Sequence, residues 1–385
     1  MKIKWNAFLL AMGLTLSLTA CSATQTAVEQ TQSPAQATAT QTQSAAPNTP
    51  EAATATASLE PTAVQTKRVI SGEFITSNGG YDVPLSDLEH QTDSTDAPVV
   101  YYTSQISSDA LLKIYEALDR TPAGKVAVKL STGEPGGHYY LDPNLIKDLV
   151  QSVDGTIVEC NTAYVSSRAT NTMHMQVAKD HGFTAIADVD IMDSEGSLSI
   201  PVAGGSHLKE NLVGSHLANY NFVMVLSHFK GHTMAGFGGA LKNISIGIGS
   251  AEGKSLIHSA GKARTGLGAG TSQEDFTESM AEAAKAVSDY EDNGQNMLYI
   301  SVMNHLSVDC DCDNSPEEPT MKDVGILASL DPVALDQACV DIVYSVPDGA
   351  DLIERMESRG GIHILEHAEQ IGLGSRSYHL VDINK

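Results

Sequence analysis

An α/β fold, with a largely parallel mixed sheet flanked by helices, is predicted by three features of the 385-residue chain. Short β-type runs alternate with helical segments from Val99 onward. Phe222–Ser227 is apolar almost throughout, as strands covered on both faces tend to be. Asp142-Pro143 and Asp331-Pro332 each place proline at the first position of a helical pattern. The folded part, roughly 320 residues, reads as one large domain or two closely packed lobes.

Taken in order, Val69–Pro98 is turn-rich and predicts an irregular lead-in with one edge strand. Val99–Thr103 is a strand. Leu111, Ile114, Tyr115 and Leu118 then recur at helical spacing behind a serine cap. Lys125–Leu130 predicts a strand, and a helix follows from Pro143 to Val153. Thr156–Cys160 is a strand, Thr170–His181 a helix closed by Gly182, and Ala185–Ile191 a strand. Leu208–Tyr220 is expected to be helical, with the buried strand Phe222–Ser227 after it. Ser272–Tyr290 keeps Phe276, Met280, Ala284 and Val287 on one face. Strands at Met297–Met303 and Gly325–Leu330, a helix to about Tyr344, two short helices and a strand at Tyr378–Ile383 complete the chain.

The first 66 residues have a different character. Lys2 and Lys4 precede an apolar run, Ala7–Leu18, too short to span a bilayer, so residues 1–20 read as a secretory signal. Leu18-Thr19-Ala20-Cys21 resembles a bacterial lipobox, which implies cleavage before Cys21 and lipid on its sulfur. Residues 21–66 are mostly Thr, Ala, Gln, Ser and Pro, too poor in large apolar side chains to offset the entropy of ordering them. The folded domain is expected over 67–385, with its core at about 99–345. The expected address is the cell envelope, anchored by lipid on the outer side of the cytoplasmic membrane, or in the outer membrane or periplasm of a Gram-negative cell.

A formal net charge of −24 argues against nucleic acid as a partner. Against that background, Ser227–His258 gathers Lys230, His232, Lys242, Lys254 and His258 among glycines. It begins where a buried strand ends, and ligands of parallel sheets bind beyond such ends. The expectation is a pocket for a small anionic molecule. Lys242 and the backbone around Gly238, Gly239 and Asn243 would hold it, with Lys230 nearby and His232 free for acid–base work. Gly133–His138 supplies a second wall through His138, and Arg168 is suited to a carboxylate. The run Asp309-Cys310-Asp311-Cys312-Asp313 mixes thiols with carboxylates. It is open to metal binding or to oxidation of Cys310 with Cys312.

These residues make the chain resemble the uncharacterised "Fe-S center protein" family, domain of unknown function 362. The matching strings are GKVAVKLSTGEPGGHYYLDP, NTAYVSSR with HMQVAKDHGF, SHFKGHTMAGFGGALKN, and DCDC with DVGILASLDPVALDQACVDIV. Many relatives carry a ferredoxin-like, cysteine-rich insert after the segment matching Lys254–His258. Ser259–Phe276 contains no cysteine, so that family's iron–sulfur cluster is not expected here. A more distant similarity, to the nickel-pincer lactate racemase superfamily, implies proton or hydride transfer at His232, cofactor anchoring at Lys242 and metal ligation at His258. No particular cofactor follows from the chain itself.

Overall fold

The computed structural model describes residues 75–78, 80–81 and 83–384; the expected leader, Cys21 and the linker lie outside them. Residues Lys67–Lys385 form one compact unit. Its lead-in holds the edge strand β1 (Ile75–Asn78). β2 (Val99–Thr103) and β3 (Gln105–Ser107) follow, and β3 pairs antiparallel with β1. Helix α1 (Ser108–Ala117) starts where the Ser107 hydroxyl accepts the Ala110 N–H at 3.1 Å. β4 (Val126–Lys129) leads to α2 (Pro143–Ser152), which Asp142 caps through the Asn144 N–H at 2.8 Å. β5 (Thr156–Glu159), α3 (Asn171–Asp180) and β6 (Val189–Ile191) continue the alternation.

The stretch 197–214 departs from that alternation. β7 (Ser197–Pro201) and β8 (Glu210–Gly214) form an antiparallel ribbon, and only a short 3₁₀ turn, Ser215–Asn219, follows. The helix expected over Leu208–Tyr220 is therefore wrong. Ladder bonds to β7 fix Glu210–Gly214 as extended, and no periodicity in the segment itself encodes that partner.

β9 (Phe222–His228) runs into a small hairpin of β10 (Lys230–His232) and β11 (Gly236–Gly238). Then come α4 (Ala240–Ile244), α5 (Ala251–His258) and the long α6 (Gln273–Tyr290), which Ser272 caps through the Asp275 N–H. β12 (Met297–Met303), β13 (Gly325–Ser329), α7 (Pro332–Ser345), α8 (Ala350–Ser358), α9 (His363–Gln370) and β14 (His379–Asp382) close the fold.

The main sheet has eight strands in the order β14-β2-β13-β12-β9-β4-β5-β6. All neighbours are parallel except where β13 meets β2 and β12, so β13 alone opposes the rest. A separate buried apolar cluster covers each face. One is built on α6 and α7, including Phe276, Met280 and Leu335. The other is built on α1 and α2, including Ile114, Leu145 and Leu149. Covering on both faces is the reason β4, β9 and β12 are buried almost end to end.

Gly231 sits in β10 directly under the chain that follows β12. Its N–H donates to the Ser307 carbonyl at 3.0 Å, and a Cβ there would lie 2.1 Å from the Val308 carbonyl oxygen. Because the clash is with backbone, no rotamer relieves it. Gly231→Ala is expected to lower stability by about 2–3 kcal/mol, read from the midpoint of urea unfolding.

Candidate functional site

Four adjacent parallel strands, in the order β12-β9-β4-β5, end along one edge of the sheet, and the chain leaving each lines one cavity of about 390 Å³. From β4 come Lys129 and Ser131, and from β5 Glu159 to Arg168. From β9 come Ser227 to His232, and from the loop after β12 Cys310 to Cys312. α4 adds Lys242 and Asn243, and α5 adds Lys254 and His258 one turn apart on the same face. Of the residues expected at the pocket, Lys230, His232, Gly238, Gly239, Lys242, Asn243, Arg168, His258, Cys310 and Cys312 all line it. His138 does not; its ring packs edge-on against Tyr139, and Ser131 forms the wall instead.

Several of these groups are already committed to internal partners. The Arg168 guanidinium bonds Glu134 Oε1 at 2.9 Å and Glu159 Oε1 at 3.3 Å, so it is not the open carboxylate clamp expected. Glu159 also accepts from the Thr132 N–H and hydroxyl and from His174. Burial alone would raise its pKa, but His174 and Arg168 outweigh that and hold it well below the usual carboxylate range. Lys230 is no ligand-facing cation either, since its ammonium is 2.7 Å from Asp311 Oδ1 and 3.0 Å from the Tyr139 carbonyl. Asn243 bridges α4 to the sheet, accepting from Lys129 Nζ at 2.9 Å and donating to the Lys129 and Leu226 carbonyls.

The expected backbone cradle is also filled from within. Asp336, on α7, accepts the Ala240 and Leu241 N–H groups at 2.7 and 2.9 Å. Gly239 is needed there because a Cβ would fall 2.2 Å from Asp336 Oδ1. The anion-binding amides of this loop therefore serve a carboxylate of the protein, which burial pushes up to about 7.

Three lysines remain. Lys129 Nζ has only neutral partners, the Leu130 carbonyl at 2.7 Å and Asn243 Oδ1. Lys254 Nζ reaches only carbonyls, that of Gly249 at 2.6 Å and that of Cys160 at 3.4 Å. Lys242 Nζ makes no hydrogen bond or ion pair among the described residues. Five basic side chains thus line the cavity against the acids Glu159 and Asp311, both of which are paired. Burial pushes Lys129 down to about 8 despite Glu159, and pushes Lys242 down to about 8 with help from Lys129.

Of the three histidines that line the cavity, His232 and His258 are held in opposite tautomers, inferred from their partners. His232 Nδ1 accepts the Met234 and Ala235 N–H groups at 3.2 and 2.9 Å, which puts its proton on Nε2. His258 Nδ1 lies 2.6 Å from the Lys254 carbonyl and must donate, which leaves the lone pair on Nε2. Burial keeps both neutral, His232 well below its ordinary value and His258 at about 4, with Lys242 adding to both shifts. Of the two acid–base roles expected of His232, this tautomer leaves it that of hydrogen-bond donor, and His258 is the group able to take a proton.

Cys310 and Cys312 are joined in a disulfide. A ring nitrogen of His232 and both sulfurs lie within 4.8 Å of one another, the one three-ligand grouping among the described residues. Joined sulfurs are not thiolate ligands, and His232 Nδ1, as an acceptor, disfavours metal on Nε2. Of the residues expected as metal ligands, Cys310 and Cys312 thus face His232, and His258 belongs to no such group among the described residues. Nor is there a cysteine set for an iron–sulfur cluster among the described residues, because Cys339 is buried in α7 and Cys160 is separate from the pair.

Lys129, Glu159 and Asp336 belong to no candidate-site motif of the sequence. A charged residue at the end of an otherwise buried strand, as at Lys129 and Glu159, was the available signal. Asp336 gives none, since its partner amides lie 96 and 95 positions away.

The sequence model of the family described as "Domain of unknown function (DUF362)" matches residues 126–341. No curated protein matches the chain. Among solved structures, the lactate racemase apoprotein from Thermoanaerobacterium thermosaccharolyticum is similar at 14% identity and a TM-score of 0.39, covering 70% of this chain and 62% of that one. A structural-genomics protein from Thermotoga maritima is similar at 13% identity and a TM-score of 0.35, covering 68% of this chain and 58% of that one. The chain thus spans less than two thirds of the length of either.

An unpaired ammonium in a desolvating site costs stability whenever it is charged. The folded pKa of Lys242 lies below its ordinary 10.5, so this cost is present in full below about pH 8 and fades between there and 10.5. Lys242→Met is expected to stabilise the ligand-free protein at pH 7 by on the order of 1 kcal/mol or more, with the gain shrinking above pH 8. Urea unfolding at pH 7 and pH 10 measures both.

Proposed function

Starting from the fact that the chain belongs to the family described as "Domain of unknown function (DUF362)", we propose that it is a lipid-anchored envelope protein whose cavity binds a small anion and moves a proton on it. The observation that carries this reading is the set of three lysines, Lys129, Lys242 and Lys254, turned to one cavity with no acidic partner among the described residues. In a chain of net charge −24, unpaired buried ammoniums are costly unless an anion completes them.

The division of labour follows from the protons. The lysines hold the anionic group, for which a carboxylate is well suited. His232 donates its Nε2–H to an oxygen on which negative charge develops, and at neutral pH it has no lone pair to act as base. His258 removes the proton through Nε2, its ring fixed by the Lys254 carbonyl and stacked on Phe276 at 4.7 Å. Lys242, at about 8, is also able to return a proton near neutral pH.

Small carboxylates and inorganic phosphate, titrated in a thermal-shift assay, are expected to raise the melting temperature of the parent. Lys242→Ala is expected to lose most of that rise, and affinity is expected to fall as pH passes up through about 8, where Lys129 and Lys242 lose their protons. Equal stabilisation of parent and Lys242→Ala would sink the anion reading. For the chemical step, exchange of a carbon-bound proton of the ligand into deuterated water is the readout. His258→Ala is expected to slow it by about 100-fold or more while leaving binding largely intact. The envelope assignment rests on residues 1–66 and has its own test. Cys21→Ser is expected to move the protein from the membrane to the soluble fraction, and the parent to carry acyl mass on Cys21.

A further inference from the structure

The disulfide in the cavity wall has no part in proton transfer. We propose that Cys310–Cys312 is a redox-active couple that exchanges with small thiols carrying a carboxylate, admitted by the cationic cavity.

Three features support exchange over a purely structural link. First, the bond closes a loop of a single intervening residue, so it ties together no distant parts of the chain. The loop is already held by other contacts: Asp311 to Lys230 and His228 on one side of Cys310, and Asp309 to Thr233 and Arg355 on the other. Reduction therefore leaves the wall in place. Second, the two sulfurs are unequal. Cys310 is buried, whereas Cys312 is part-exposed and lines both the main cavity and the adjoining depression bounded by Glu134 and Tyr164. Cys312 Sγ is the sulfur open to attack. Third, Cys310 is built to leave, since its sulfur accepts the Cys312 N–H at 3.3 Å. A ring nitrogen of His232 lies near both sulfurs, and the lysines add positive potential.

The exchange balances as follows. A thiolate, its proton released to solvent, attacks Cys312 Sγ; the sulfur–sulfur bond breaks and Cys310 departs with the electron pair. A second thiolate attacks the external sulfur of this mixed disulfide and frees Cys312. Each freed cysteine thiolate takes up a proton. The protein disulfide gains two electrons, and two external thiols become one external disulfide. The remaining described cysteines do not compete. Burial pushes Cys160 up to about 12 and Cys339 well above its ordinary value.

Differential alkylation with mass spectrometry on the full chain tests the proposal. Millimolar glutathione, an anionic thiol, and neutral dithiothreitol are the probes. Native protein is expected to gain paired alkyl labels at Cys310 and Cys312, with Cys160 and Cys339 unlabelled and thermal unfolding still cooperative. Labels that appear only in denaturant, or unlinked cysteines in air-oxidised protein, overturn it. With glutathione disulfide as the probe, Cys310→Ser is expected to form the mixed disulfide at Cys312, releasing one glutathione thiolate, roughly tenfold faster than Cys312→Ser forms it at Cys310. Equal rates would remove the assigned order of attack. The anion reading fails separately. Lys242→Ala is expected to slow reduction by glutathione several-fold but not by dithiothreitol, and if both rates stay unchanged the couple survives while the charge argument does not.

Discussion

The site depends on one buried carboxylate. Asp311 lies between Lys230 Nζ, at 2.7 Å, and His228 Nδ1, at 3.3 Å, and so ties the loop after β12 to the hairpin after β9. Burial alone would raise its pKa, but the Lys230 ammonium outweighs that and keeps it ionised. With one partner removed, the other charge would be left buried and unpaired, which is the costly way to break such a contact. Through this contact the disulfide, His232 and the lysine floor face a common space. The Glu134 N–H adds a second tie by donating to the Asp311 carbonyl at 2.9 Å.

From that anchor the charge arrangement becomes intelligible. The acidic groups at this end of the sheet are used internally: Glu159 and Glu134 on Arg168, Asp311 on Lys230, and Asp336 on the amides of α4. What is left over is positive. A protein with a large excess of acid thus gives Lys129, Lys242 and Lys254 no direct ion pair among the described residues, against the electrostatic preference of those lysines. Opposed tautomers complete the arrangement. Two histidines of the same type, lining one cavity, differ in role only because one ring faces backbone N–H groups and the other a backbone carbonyl.

Much of the scaffold was legible beforehand. Capping serines at Ser107 and Ser272, proline at the start of α2 and α7, and the unbroken apolar run of β9 are local signals, and local hydrogen bonding and burial answer them directly. The failures lie where the decisive partner is remote. Glu210–Gly214 is a strand because β7 is beside it. His138 is not part of the cavity lining, and its ring lies edge-on to Tyr139, whatever its glycine-rich surroundings suggest. The residues of the glycine-rich stretch reached the pocket, but their assigned tasks changed. Amides expected to meet a ligand meet Asp336, and His232, expected for acid–base work, is placed as a donor.

By itself, then, the sequence determined the α/β class, the order of most strands and helices, and the stretch of chain that forms the site. These follow from short-range periodicity, capping and the emergence of a loop from a buried strand. Only the tertiary structure decided which of its charges are free. Whether a lysine is paired, or which nitrogen of a histidine bears the proton, depends on atoms brought close from distant parts of the chain, as with Lys230 and Asp311, 81 positions apart. Hydrogen bonds and Coulomb interactions at that range follow distance in space, and sequence spacing does not carry it.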